Sequence, residues 1–357
     1  MKIYIKFLIN LFTFSFFKIF FIFFGIILIS NILEQSEFFK EIEIDYFYII
    51  FLSFLNTPSI IFEILPFIFL ISTQIFFITL INKNELEIFK YRGLNNYIII
   101  KIIGIYSFIL GLIFVIIFYN ISSILKNSYL VIKNKYVEDG KYLAVITENG
   151  LWIKDEVNDQ INIINASKVE NEFLINVVIS QFNNNFEIIQ VVQSERVDIS
   201  LSNWKIFNPR ISKNNTVFEK NETRFKSNFD LKKINSLFSN LSSLSLIDLI
   251  KLRKNYKSLN YSVVDIDSHF YRIISYPIYL TLMTIFSAII MFNIGYQKNS
   301  IFKITLGIFI SVLIYYINYF FNVLGTSEKI PLILSISLPL IILSIINITS
   351  IIRLNEK

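Results

Sequence analysis

A chain of 357 residues with 54% hydrophobic side chains, 38 phenylalanines and a mean hydropathy of +0.59 carries more apolar surface than a water-soluble core can hide. Its formal net charge of +6 is spread over separate loops with no continuous basic stripe, which argues against a nucleic-acid partner. The absence of cysteine excludes disulfides, thiolate metal sites and a cysteine nucleophile.

Only 17% of the residues are charged, and they gather between apolar runs, as they must where hydrocarbon excludes ionised groups. A bilayer core takes about 20 residues of helix. Six runs of that length occur, near 13–33, 58–82, 97–120, 272–294, 300–323 and 330–352. The first is too long for a secretory signal, and Ile29-Ser30-Asn31 offers no small-residue cleavage site, so it reads as a retained helix. The stretch after it is acidic, with Glu34, Glu37, Glu41, Glu43 and Asp45 around the single Lys40.

In the second run Pro58 suits a first helical turn, which places Glu63 about a turn and a half inside the span. A carboxylate there is either functional or reaches back to the outer headgroups. Pro66 removes a backbone donor and predicts a kink. The loop that follows, near 83–95, is charged and helix-forming, with Gly93 where a left-handed C-terminal residue would sit. A short helix rigidly joined to two spans suits a lever pushed by a motor protein, and equally a solvated connector.

Orientation follows from the cations of the short loops. Lys2, Lys6 and Lys18, then Lys83, Lys90, Arg92 and Lys101, then Lys298 and Lys303, then Arg353 and Lys357 all fall on one side of a six-span topology. That side is predicted cytoplasmic, with both termini, and the acidic stretch is external. The organisation expected is helices one to three in 1–122, an outer domain in 123–270 and helices four to six in 271–357.

Within the outer segment, Lys141–Thr147, Leu151–Lys154, Phe186–Gln193 and Trp204–Phe207 alternate apolar and polar residues, the signature of antiparallel strands. Several short strands in about 100 residues suggest a sandwich or jelly roll. Residues 245–259 switch to helical period with Ser245 as N-cap, giving an amphipathic helix that leads into the fourth span. The fold class is thus a six-helix membrane protein with an inserted, extracytoplasmic all-β domain.

Reactive groups are scarce. His269 is the only histidine, and Asp265-x-Asp267-x-His269 makes a metal site conceivable, although interfacial polar residues are the commoner explanation. There is no Gly-x-Ser-x-Gly, no His-Glu-x-x-His and no Walker phosphate loop. The chain is therefore expected to be non-catalytic and to bind no metal or cofactor of its own, ATP and Mg being left to a separate ATPase.

Thr57-Pro58 to Leu65-Pro66, then Asn84-Glu85-Leu86-Glu87 to Arg92-Gly93, resemble the LptF and LptG permeases of the bacterial lipopolysaccharide exporter. Supporting likenesses are Asn149 to Asp155 with its Gly-Leu-Trp element, Leu244 to Leu246 before the amphipathic helix, Arg272 to Pro277, Gly307, Gly325, Pro331 and Pro339. The resemblance covers nearly the whole chain, and the Gly-Leu-Trp element favours the LptG branch over LptF.

The resemblance implies a heterodimer with an LptF-like permease on an LptB-like ATPase dimer in the inner membrane. Lipopolysaccharide would be extracted from the outer leaflet and passed over periplasmic β-jelly-roll domains to an LptC-like bridge protein. It further implies that Glu85 to Gly93 form the coupling helix, with Glu85 as the charged contact and Leu86 and Phe89 as the apolar ones, closed by Arg92 and Gly93. Spans one and five would line the opening to the lipid. Lys40, Lys126 and Arg272 are the rim cations available to its phosphates, and Pro58, Pro66, Pro277, Gly307 and Pro331 would shape and pack the helices. One departure is the stretch after the first span, Glu34-Gln35-Ser36-Glu37, where LptG relatives often carry a pair of lysines. Outside this family, a membrane receptor or scaffold with an outer β domain fits the topology, and an enzyme centred on His269 is the remaining alternative.

Overall fold

The computed structural model describes residues 2–355 apart from 41–43, 135, 137–150, 158–159, 171, 184, 214–215, 232, 235–239, 259–260 and 294–299. The strand expected at 141–147, residues Asn149 and Gly150 of the Gly-Leu-Trp element, and Lys298 and Lys357 lie outside the described residues. The chain divides into two compact units, 1–126 with 264–357, and 127–263.

The first unit is helical: α1 (Ile3–Phe38), α2 (Tyr46–Asn82), the short α3 (Glu85–Tyr91), α4 (Asn96–Ile113), which runs through a π-helical turn at Phe114–Phe118 into α5 (Tyr119–Asn134), and, after the second unit, α7 (Val264–Asn293), α8 (Ser300–Thr326) and α9 (Leu332–Asn355). Among the described residues six helices are long and apolar enough to cross a membrane. Several outrun the expected spans. At about 1.5 Å per residue, α1 and α2 reach roughly 55 Å, well over the ~30 Å of a hydrocarbon core. The cause in α2 is local: Asp45 caps its N-terminus by accepting from Phe47 N at 3.3 Å, and the residues from Tyr46 onward are apolar and continue the helix.

That extension corrects the reading of Pro58. It does not open the helix but sits inside α2, as Pro66 does. A mid-helix proline strips the carbonyl four residues earlier of its donor. For Pro66 that carbonyl is Phe62 O, and the hydroxyl of Tyr276 on α7 donates to it. The Tyr276 and Phe62 rings stack with centroids 4.7 Å apart. Pro331 is likewise displaced: it is exposed and immediately precedes α9, its carbonyl accepting from Ser335 N at 3.0 Å.

The centre of this unit is α2 against α7. Ser287 on α7 donates to Leu70 O on α2 at 2.7 Å, and phenylalanines from α1, α2 and the π-helical turn interlock around Phe16, Phe69 and Phe114. Two glycines permit close approach between helices. A Cβ on Gly111 would meet Pro277 Cα at 2.9 Å, and one on Gly307 would fall where the Gln74 side chain lies.

Among the described residues the second unit carries an antiparallel sheet of nine strands: β1 (Leu151–Val157), β2 (Gln160–Ala166), β3 (Lys168–Glu170), β4 (Phe173–Phe182), β5 (Ile188–Asp198), β6 (Asn203–Phe207), β7 (Arg210–Lys213), β8 (Thr216–Glu219) and β9 (Glu222–Lys226). β2 and β3 share one edge of β4, while β6 and β7 share one edge of β5. The described strands therefore run as a meander of long, interrupted rows. Asn208, with φ of 45°, marks the break between β6 and β7 in a conformation asparagine tolerates better than most residues.

One face of the sheet carries the core, including Leu151, Ile153, Ile164, Ile179, Val197 and Trp204. Trp204 is fully buried, and its ring N–H donates to Phe229 O at 2.8 Å, so its polar atom is satisfied. Buried Asp155 is also fully served, accepting from Ser227 Oγ at 2.8 Å and from Asn228 N and Nδ2 at 3.2 and 2.9 Å. Tyr261 packs on this core and its hydroxyl accepts from Lys154 N at 3.2 Å; burial moves its phenol above the usual range. A 3₁₀ turn (Leu241–Ser243) then leads to α6 (Leu246–Ser258). Ser245 caps it as expected, its Oγ accepting from Asp248 N at 3.3 Å and donating to the Asp248 carboxylate at 2.6 Å.

Candidate functional site

The hairpin between α2 and α4 is held by its own backbone. Asn84 enters in the left-handed region at φ 57° and α3 follows. The helix closes in a Schellman turn: Gly93, at φ +82°, donates from N to Lys90 O at 2.9 Å, and Leu94 N donates to Phe89 O at 3.0 Å. Gly93 is needed there because a Cβ is strained at that φ.

The residues singled out in this hairpin do not share one face. Leu86 is 1% exposed and is buried among the chain's own helices, lining a small cavity with Phe77 and Phe292. Phe89 is half-buried, its ring 5.9 Å from that of Phe7 on α1. Leu86 and Phe89, one turn apart, thus anchor α3 to the bundle. The outward side carries Glu87, Ile88, Lys90, Tyr91 and Arg92, with Tyr91 90% exposed. Glu85 stands between the two sides: the residue is half-buried, and its Oε2 is buried without a hydrogen-bond partner.

A second group of polar residues gathers where α2, α5 and α7 meet. His269 on α7 lies 3.1 Å by Nε2 from the Tyr119 hydroxyl and 3.4 Å by Nδ1 from the Arg272 guanidinium. An arginine can only donate, so Nδ1 accepts and Nε2–H donates to Tyr119. The charges of Arg272 and Lys126 both act on His269, and the Glu63 carboxylate acts on Lys126. The structure therefore brings Lys126 and Arg272 together and supplies Glu63 as a counter-charge. Lys40 is exposed just past the end of α1, and no contact joins it to this group among the described residues.

The Asp265-x-Asp267-x-His269 sequence does not form a metal site: among the described residues no three His, Asp or Glu side chains converge. Helical geometry gives the reason. At 100° per residue Asp265 and His269 share a face of α7, whereas Asp267 is turned about 200° from Asp265.

Sequence reasoning missed the polar pins within the membrane helices. Gln74 Nε2 donates to Lys303 O on α8 at 2.9 Å, across the gap left by Gly307. Asn31 Nδ2 on α1 donates to Thr57 Oγ1 on α2 at 2.9 Å, and Asn56 Nδ2 donates back to Asn31 Oδ1 at 3.3 Å. Asn347 Nδ2 on α9 donates to Leu282 O on α7 at 3.0 Å, and Ser268 on α7 to Asn322 Oδ1 on α8 at 2.7 Å. The signal was present as polar side chains inside apolar runs, above all Ser72-Thr73-Gln74 and Asn56-Thr57, because such groups face the bundle interior rather than lipid.

The described residues combine six apolar helices, a short anchored helix between the second and third, and an inserted antiparallel sheet. No curated protein matches the chain. The family model described as lipopolysaccharide export system permease LptF/LptG matches residues 6–353, nearly the full length, and the chain belongs to that family.

Proposed function

We propose that this chain is the LptG-type permease subunit of an ATP-driven exporter. In this reading it pairs with an LptF-like permease, draws lipopolysaccharide from the outer leaflet of the inner membrane and delivers it to an LptC-like periplasmic bridge. Both termini and α3 lie in the cytoplasm, and the β unit, taken as jelly-roll-like, lies in the periplasm. The cations of the short loops and the acidic stretch after α1 support that orientation. Lys126 and Arg272, with Lys40 nearer the end of α1, are the cations for the phosphates of the lipid. ATP and Mg belong to the partner ATPase, since this sequence has no phosphate loop.

The observation that carries the proposal is the construction of α3. A helix of seven residues, clamped by Leu86 and Phe89 within and presenting Ile88, Tyr91 and Arg92 without, transmits a push to α2 and α4 instead of bending. Glu85 is the charged contact, its Oε2 awaiting a donor. Ile88 and Tyr91 supply the apolar contact in place of Leu86 and Phe89, which pack inward. Reversal of a charge at a desolvated contact costs about 2–5 kcal/mol. The Glu85→Arg chain is thus expected to lose most of its co-purifying ATPase while its own fold survives. Unchanged ATPase recovery with both Glu85→Arg and Tyr91→Ala would remove the coupling role.

A further inference from the structure

The helix α6 carries four bases, Lys251, Arg253, Lys254 and Lys257, against one acid, Asp248. Its inward side is already spent: Leu249 is 0% and Leu252 3% exposed, and Tyr256 packs on the sheet core. At 100° per residue, Ile247, Ile250, Lys254 and Lys257 fall within about 80° of one another on the opposite side. All four are exposed, the isoleucines by 66% and 55%. Lys251 stands at the margin of this stripe, its ammonium 3.4 Å from the Asp248 carboxylate.

A stripe of isoleucine and lysine suits neither water, which gains nothing from two bared isoleucines, nor the centre of a protein interface, where lysine is depleted. It suits the boundary of an anionic bilayer. There apolar side chains enter the headgroup layer, while lysine stems lie along it and the ammonium groups reach phosphates. Five residues, 259–263, join α6 to α7, which is long and apolar enough to span a membrane. Fully extended, that link reaches about 20 Å, less than the ~30 Å thickness of a hydrocarbon core. A bilayer is therefore a surface that the chain itself keeps within reach of α6.

We propose that the outward stripe of α6 docks on the bilayer and binds the headgroups of anionic phospholipid. Ile247 and Ile250 enter the headgroup layer, and Lys254 and Lys257 pair with phosphates. The β unit thereby gains a foothold on the membrane beyond its covalent links to α5 and α7. Such docking does not depend on lipopolysaccharide being the cargo, and it uses none of Lys40, Lys126 and Arg272.

The chain has no cysteine, so Ile250→Cys gives the full-length protein one attachment point for a fluorophore that nitroxide-bearing lipid headgroups quench. Leu201→Cys, at a site 73% exposed between β5 and β6 of the same unit, is the reference. In nanodiscs where phosphatidylglycerol replaces part of the phosphatidylcholine, the Ile250 label is expected to be quenched well beyond the Leu201 label, and less so at high salt. Each lysine beside an anionic surface is worth about a factor of five. Lys254→Gln with Lys257→Gln should therefore lower the ratio of docked to undocked helix about 25-fold. Both side chains are exposed, so their replacement leaves the fold in place, and the salt dependence gives a parallel readout that needs no lysine variant. Equal quenching at the two labelled sites overturns the proposal, as does quenching of the Ile250 label that is the same with and without phosphatidylglycerol. Undiminished quenching in the double lysine variant overturns it too. If a co-purified subunit shields the Ile250 label from aqueous iodide while lipid nitroxides leave it bright, the face belongs to a protein and the proposal fails.

Discussion

α2 and α8 are both membrane helices by length and composition, yet the chain uses them in opposite ways. Of the most apolar stretch of α2, 67% is buried within the chain, against 11% for α8. Hydropathy does not foretell the difference, since those stretches average 2.3 and 1.9, so the more buried helix is only slightly the more apolar. In lipid, burial confers no hydrophobic gain, because tails are as apolar as leucine; packing and hydrogen bonds decide which helix is central. α2 carries the means for both: Ser53, Asn56, Thr57, Ser72, Thr73 and Gln74 are all buried in it. α8 turns outward Phe309, Tyr316, Tyr319 and Phe320, and it meets α2 where Gly307 makes room for Gln74 and where the Tyr315 ring lies 6.0 Å from that of Phe67.

The contrast fails if Gly307 can be filled. Gly307→Leu forces the Gln74 side chain out of its place and takes its bond to Lys303 O with it; overpacking of this kind costs about 1–3 kcal/mol, and the lost bond adds to that. A large fall in stability is expected in mixed-detergent unfolding, and Gln74→Ala combined with Gly307→Ala should recover part of it. Additive losses in that double variant would mean the two residues do not share the gap.

A smaller effect is expected at the proline of α2. Tyr276→Phe keeps the ring stacked on Phe62 but leaves Phe62 O without the donor that replaced the missing Pro66 N–H. Leaving a buried acceptor unsatisfied costs about 1–3 kcal/mol. Pro66→Ala should relieve that cost when combined with Tyr276→Phe, because the helix then supplies its own donor; no relief would detach the tyrosine from the proline.

The smallest change in the stability of the chain alone is expected at the outward face of α8. Phe309 is 63% exposed, and Phe309→Ala should shift unfolding by less than about 0.5 kcal/mol, as exposed sites usually do. If α8 faces another permease, the same substitution reduces recovery of that partner in a pull-down. Equal recovery would leave this face to lipid.

Much of this was legible in the residues. The six apolar runs, the strands at Leu151 and Trp204, the Ser245 cap and the left-handed Gly93 all follow from local rules of length, alternation and backbone geometry, whereas the strand expected from Phe186 begins at Ile188, because Phe186, at φ 59°, belongs to the turn before it. What was not legible depended on neighbours distant in sequence. Pro58 looked like a helix start because a proline favours a first turn, and only the Asp45 cap and the apolar residues after it show the helix beginning earlier. The resemblance implied an outward contact for Leu86, yet a small helix must bury something to be held, and Leu86 is what it buries.

Taken alone, the sequence settled which segments are greasy enough to span a membrane and which alternate as strands, since both depend on side-chain type at a fixed period. Only the tertiary structure decided which spans are central, which carbonyl each proline frees and who fills it, and that Lys126 and Arg272 converge while Lys40 does not. Among uniformly apolar helices those choices rest on shape, a few hydrogen bonds and the space left by a glycine, and none of these is periodic along the chain.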